Sequence, residues 1–243
     1  MRAILSDIHG NLEALTAVLS DIADHSVSRI YCLGDVVGYG PNPIECLELA
    51  LKWDLTLLGN HDSAVLVEPD GFCNSAEAAI FWTQSVLERD LRWDLWKFLE
   101  ELPRSHQEGN DLFVHGSPHN PINEYVFPED VYNQRKMERI FAKVNRCCYQ
   151  GHTHVPGIFN DQMQFITPGE VGFTYKLDSR KTLVNVGSVG QPRDENWRAC
   201  YVLVDGLDVT FRRVEYDVDA TVRKIYDIAE LHDFHGDRLR EGR

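Results

Sequence analysis

Five short apolar runs in the first two thirds of the chain end alike, in side chains able to hold a metal ion and then a glycine or another turn residue. The run "RAIL" leads into Asp7 and His9, "RIYCL" into Asp35, "LTLL" into Asn60, His61 and Asp62, "DLFV" into His115, and "RCCY" into His152 and His154. Runs this short read as buried strands rather than helices. Between them lie helical patterns. Leu12, Leu15, Leu19 and Ile22 share one stripe, and "NPIECLELALK" offers Asn42 as N-cap, Pro43 at the first helical position and Glu45 to complete a capping-box-like pattern. Strands that alternate with helices build open α/β sheets, and ligands of such sheets bind at the carboxyl ends of the strands. That edge is where these polar residues collect, and it takes five of the ten histidines.

The remaining chain fills out the architecture. "SAEAAIFWTQSVLERDLRWDLWKFLEEL" predicts one or two helices that stop before Pro103, with Phe81, Trp82, Trp93, Trp96 and Phe98 packing a core or a lid. "EDVYNQRKMERIFAKV" and "DATVRKIYDIAELHDF" each predict a helix. From Met163 onward, β-branched and aromatic residues broken by Gly, Pro and Asp predict mostly antiparallel strands. The expected fold is α/β, with two sheets packed together and helices outside. With no linker, repeat or low-complexity run, residues 1–243 are expected to form a single domain, with a helical insertion at about 63–107.

Composition narrows the function. A hydrophobic content of 43% can bury a large core, and a net charge of −14 disfavours nonspecific binding to duplex nucleic acid or to anionic membranes. Bound cations would reverse that sign locally, so a phosphate substrate stays compatible. The six cysteines lack CxxC spacing and several lie in apolar runs, as reduced thiols do. With no long apolar stretch at the start and none that could span a bilayer, a cytoplasmic location is expected.

His152 and His154 stand one residue apart. On an extended strand residues i and i+2 face the same way, so the pair could reach one point. Imidazoles mixed with carboxylates suit Mn, Fe, Zn, Co or Ni, whereas an all-oxygen set would suit Mg or Ca. Asp7, His9, Asp35, Asn60, His115, His152 and His154 are too many for one ion, and they fill two four-ligand sites if one carboxylate bridges. Asp35, alone between the two groups, is the candidate bridge.

Taken together and in order, "SDIHGN", "LGDVVGYG", "LGNHD", "FVHGSP" and "GHTHVP" resemble the calcineurin-like metallophosphoesterases. The later "NVGSVGQPRD" resembles the small prokaryotic branch that includes phosphodiesterases and diadenosine tetraphosphatase-like hydrolases. The resemblance implies a four-layer αββα sandwich with two divalent transition-metal ions. Asp7, His9, Asp35 and His154 would hold one ion, and Asp35, Asn60, His115 and His152 the other. A water bridging the two would lose its proton near neutral pH and attack a phosphodiester or a dinucleoside polyphosphate. His61 would act as the acid near the leaving group, oriented by Asp62.

Arg193 could grip a second phosphate or pair with Asp194, and His119 could line the cleft. His25, His106, His232 and His235 are read as exposed or capping. The helical insertion and the proline-bearing loop from Ser117 to Pro128 emerge at the same edge and should wall the site into a cleft. There Phe72, Tyr125 and Phe127 either stack on a nucleobase or pack the loops against the body. A small phosphoester or nucleotide is the expected substrate. The competing readings are a protein phosphatase, a nuclease, and a metal-binding scaffold for a partner protein. His61 is the residue whose loss would signal the scaffold.

Overall fold

Twelve strands divide equally between two mixed sheets in the computed structural model, which describes residues 1–243. The first sheet runs in the order β3 (Leu55–Thr56), β2 (Arg29–Cys32), β1 (Arg2–Leu5), β11 (Ala199–Asp205), β12 (Asp208–Val214), β9 (Thr174–Lys176). The second runs β4 (Ser105–Glu108), β5 (Asp111–Val114), β6 (Cys147–Gln150), β10 (Thr182–Asn185), β7 (Gly157–Asn160), β8 (Gln164–Ile166). β1, β2 and β3 are parallel, as are β5, β6 and β10. β1, β2 and β3, and likewise β5 and β6, come from strand–helix alternation, whereas β10 joins beside β6 only after three further strands; the strands of the second half extend both sheets rather than forming one of their own.

Alternation along the strands separates the layers. Ile4 and Tyr31 of the first sheet meet Phe113, Tyr149 and Val184 of the second in a core between the sheets. Their neighbours Ala3, Leu5 and Cys32 face outward onto α1 (Leu12–Ala23) and α2 (Pro43–Ala50), where Leu15, Val18 and Leu47 are buried. On the far side, Val114, Cys148 and Leu183 cover Met137, Ile140 and Phe141 of α6 (Gln134–Phe141). Both faces of the central strands are therefore buried, which is why they read as continuous apolar runs. The layers follow the expected αββα sandwich.

Several local expectations need correction. Asn42 makes no side-chain cap to the helix backbone; its amide donates to Glu45 Oε1 at 2.9 Å and its oxygen accepts from Lys224 Nζ at 3.0 Å. Helix starts earlier than the expected insertion at about 63, since α3 (Asn60–Leu66) begins within "GNHD". The long insertion forms two helices, α4 (Asn74–Arg89) and α5 (Trp93–Glu101), and Phe81 and Trp93 face solvent instead of packing. The predicted helix "EDVYNQRKMERIFAKV" breaks at Asn133, whose side chain caps Lys136 N at 3.2 Å and so starts α6 after a 3-10 turn. The final helix also divides, into α7 (Val218–Tyr226) and α8 (Phe234–Glu241), and α8 places His235 in the interior. Five cysteines are buried free thiols and Cys73 is exposed. No helix is long and apolar enough to cross a membrane.

A polar clamp fixes α1 to its sheet. Asp21 accepts from the Tyr201 hydroxyl at 2.6 Å and from Arg212 Nε and Nη2 at 3.0 and 2.7 Å. The Arg212 hydrogen bond, helped by Tyr201 and opposed by burial, holds the Asp21 carboxyl below its usual 3.8. A carboxyl whose pKa is lowered by folding contributes stability above its unfolded pKa and loses it as pH falls through the folded value. Asp21→Asn is expected to cost about 1–2 kcal/mol at neutral pH, the gap to wild type closing as pH falls below about 4. Thermal melts of both proteins across that range check it.

Candidate metal centre

The loops after the parallel strands of the two sheets meet at one edge, and most of the candidate ligands sit on unusual backbone. Asp7, His9, Asp35, His152 and His154 have φ of 55°, 50°, 54°, 67° and 63°, the left-handed region that non-glycine residues rarely enter. This corrects the extended-strand reading of His152 and His154, since neither lies on extended backbone. Each such residue costs of order 1 kcal/mol, so the loops must be held from outside. Ile8 N and His9 N donate to Asp35 O at 2.8 and 2.9 Å, and Gly190 N donates to Asp7 O at 2.9 Å. Asn185, fully buried at the end of β10, donates to Gly151 O and Thr153 Oγ1, both at 2.8 Å, and so fixes the "HTH" turn.

The side chains form two linked groups. In the first, His154 Nε2 lies 3.1 Å from Asp7 Oδ1 and 3.2 Å from His9 Nε2. In the second, His115 Nε2 lies 3.0 Å from Asn60 Oδ1, 3.0 Å from His152 Nδ1 and 3.3 Å from Asp35 Oδ2. Asp35 Oδ2 is also 3.7 Å from His9 Nε2, so this one oxygen faces both groups. Asp7 and Asp35 are almost wholly buried, and their only ion-pair partners are histidines.

These residues fit divalent cations on the chemistry of their donor atoms. His9 Nδ1 and His154 Nδ1 stand 3.1 and 2.6 Å from the carbonyl oxygens of Val37 and Gln191, so each ring carries its proton there and turns the Nε2 lone pair inward. The inward lone pairs then crowd Asp7 Oδ1, a buried oxygen without a hydrogen-bond donor. Burial would raise the Asp7 and Asp35 carboxyls, but the histidines around them prevail and hold both below the ordinary range. Burial keeps His9 and His154 neutral, and with the charge of His115 it pushes His152 down to about 3. His115 is opposed by burial yet held at about 9 by Asp35, and a cation binding there must displace its proton.

Around this centre the structure sorts the remaining candidates. His61 is buried with its ring 4.9 Å from His9, 4.4 Å from Tyr39 and 5.0 Å from Phe72, and burial lowers it to about 4. Gly38, at φ 100°, makes room for it: a Cβ there would lie 2.5 Å from His61 Nδ1. Asp62 does not orient this ring. Its carboxylate accepts from the backbone N–H groups of Asp35, Val36, Val37 and Gly59 at 2.7, 2.9, 3.2 and 3.1 Å, which clamps the Asp35 loop against α3. Burial and the nearby Asp35 charge nevertheless raise Asp62 to about 7.

Asp194 pairs with Arg213 rather than with Arg193. His119 lies 3.5 Å from Glu124, partly exposed, in its own loop. Tyr125 stacks on His152 at 3.7 Å and Phe127 stacks on Tyr125 at 5.3 Å, both about two-fifths exposed. Sequence reasoning missed Tyr39, Asn185, Ser188, Gln191 and His235. Tyr39 lies inside "LGDVVGYG" and Asn185, Ser188 and Gln191 inside "NVGSVGQPRD", so those motifs carried a usable signal for all but His235.

A family model described as the calcineurin-like phosphoesterase superfamily domain matches residues 1–207. An uncharacterized protein of Methanocaldococcus jannaschii is 39% identical over the whole chain and 98% of its own length. A metallophosphoesterase crystal structure from Sphaerobacter thermophilus is 36% identical, superposes with a TM-score of 0.85, and is matched over 100% of this chain and 98% of that one. The symmetrical bis(5'-nucleosyl)-tetraphosphatase of Neisseria meningitidis is 28% identical over 46% of this chain and 41% of its own length.

Asp62→Asn would turn an amide group toward main-chain N–H donors. It is expected to cost roughly 2–4 kcal/mol and to lower metal content by freeing the Asp35 loop. Thermal melts and elemental analysis check both, and an unchanged metal content would remove Asp62 from the loop-holding role.

Proposed function

The chain belongs to the calcineurin-like phosphoesterase superfamily, and on that premise we propose that it is a dinuclear-metal-dependent hydrolase of phosphodiesters or dinucleoside polyphosphates. The observation that carries this reading is Asp35 Oδ2, one carboxylate oxygen facing both ligand groups at 3.7 and 3.3 Å. Asp7, His9, Asp35 and His154 would hold one divalent ion, and Asp35, Asn60, His115 and His152 the other. Two such ions supply Lewis acidity toward phosphoryl oxygens and a water acidic enough to attack phosphorus near neutral pH. Manganese, iron, zinc, nickel and cobalt all suit the mixed imidazole and carboxylate donors.

The chain's own residues supply the rest. With water as the nucleophile, the reading needs no covalent enzyme intermediate. His61, seated beside His9 and Tyr39, would donate an N–H to the departing oxygen, a role open to a neutral imidazole as well as to imidazolium. Phe72 on one side and the Tyr125–Phe127 stack on the other would wall the cleft and exclude water from the charged centre. The partial likeness to the Neisseria tetraphosphatase supports a nucleotide substrate. The acidic chain supports a small substrate over duplex nucleic acid or a membrane surface.

Asp35→Asn is expected to lower occupancy at both metal positions together, read by elemental analysis of the purified protein. Loss at one position alone would end the bridging assignment. His61→Gln is expected to retain metal and to lower kcat by roughly 10²–10⁴-fold on substrates with poor leaving groups, and by less on an activated aryl ester. A panel of an aryl diester, diadenosine tetraphosphate, cyclic nucleotides, a phosphopeptide and single-stranded DNA tests the substrate class. The highest kcat/KM on the phosphopeptide would support a protein phosphatase. Bound metal with no turnover on any of them would favour the scaffold.

A further inference from the structure

Two arginines flank the metal centre with no acidic side chain beside them. Arg193 follows β10 in the "GQPRD" turn. Its backbone N–H donates to the carbonyl of the candidate ligand His154 at 3.3 Å, and its guanidinium lies 5.9 Å from the Tyr39 ring centre. Nη2 donates to Gln191 Oε1 at 2.8 Å, while Nε is buried with no partner at all. The adjacent Asp194 is already committed to Arg213. Arg238 comes from α8. It lies over Phe234 at 5.2 Å, its Nε donates to the main-chain oxygen of Arg243, and no acidic side chain pairs with it.

The fold brings the two arginines to one place. Glu195 N, two residues beyond Arg193, donates to the carbonyl of Gly242 at the end of α8, at 2.9 Å. His235 of the same helix has Nε2 3.1 Å from Ser75 O at the start of α4, and its ring is 4.9 Å from Tyr39. Tyr39 in turn touches His61 and His9. The helix is thus fastened to the rim of the metal centre. Burial first, and then the charge of Arg193, pull the Arg238 guanidinium down to about 10, as cations crowded without an anion behave.

In a chain of net charge −14, acidic side chains are plentiful, yet none meets either of these two part-buried guanidiniums. A desolvated cation is costly unless an anion meets it. Asp7 and Asp35 are turned toward the metal positions and cannot serve. We propose that Arg193 and Arg238 form a second anion subsite, which takes a phosphate adjoining the phosphoryl group under attack. This rests on the metal centre acting as proposed above and narrows its substrate class to esters of di- or polyphosphates, since a simple diester would leave the arginines unmet. The planar fork of arginine suits a phosphate bidentately, and Tyr39 beneath Arg193 keeps that fork in place.

The test compares adenosine 5′-diphosphate with adenosine 5′-monophosphate, two probes with the same base and ribose that differ by one phosphate. Both are titrated calorimetrically into the metal-loaded full chain at one free metal concentration. The wild type is expected to prefer the diphosphate by at least about tenfold, and Arg193→Met and Arg238→Met each to cut that preference to about threefold or less. No preference in the wild type, or one that survives both substitutions, would overturn the subsite. Thermal melts establish that the variants fold. If either does not, Arg193→Lys and Arg238→Lys take its place, and an undiminished preference in both overturns the proposal equally. Turnover of diadenosine tetraphosphate and of an aryl diester by the wild type, measured on the same sample, reports the hydrolase reading separately. A diphosphate preference lost in the variants, with no turnover of either compound, would keep the subsite and remove the hydrolase.

Discussion

Asp7 and Asp35 are ionised carboxylates taken almost fully out of water with no lysine or arginine beside them, and the surrounding structure is arranged around that cost. Imidazoles alone offset it poorly, because burial strips protons from His9, His152 and His154. What remains is a concentrated set of inward-facing lone pairs. Such a set is unfavourable by itself and favourable around cations, so metal binding and the stability of this edge are one property.

The backbone carries part of the load. Five of the ligand positions take left-handed φ, and the strain is borne because each loop is bonded to another: the Asp7 loop to Asp35 and Gly190, the Asp35 loop to Asp62, the "HTH" turn to Asn185. Asp62 collects four amide hydrogen bonds with one carboxylate and thereby joins α3 to the Asp35 loop. This cross-bracing holds side chains from five strand ends close together around Asp35. It also explains why polar residues behind the candidate ligands, such as Asn185, are fully buried here.

Beyond the ligands the site changes character. The strongly acidic chain presents around the metal centre an aromatic wall, Tyr39, Phe72 and the Tyr125–Phe127 pair, and two arginines that no acidic side chain meets, one of them on α8. Local sign therefore runs against net sign, which is what an anionic substrate of an acidic protein requires.

Most strands and helices, and the set of metal-capable residues that the fold gathers, were legible in the sequence because each rests on local chemistry. Apolar runs of strand length, Leu12 to Ile22 on one stripe, and metal-capable residues after successive runs are patterns of neighbours along the chain. The antiparallel second half was legible as strands, but its division between two sheets was not, since pairing joins residues more than a hundred positions apart, as β1 does with β11. The same reason hid the left-handed turn that separates His152 from His154, the true partners of Asp62, and the burial of His235. An Asp beside a His looks like its partner in sequence, whereas in space Asp62 meets amides of the preceding loop and His61 meets Tyr39 and Phe72. Local chemistry determined which residues could hold metal; only long-range packing decided which atoms face one another, because a side chain's direction depends on loops braced by the far end of the chain.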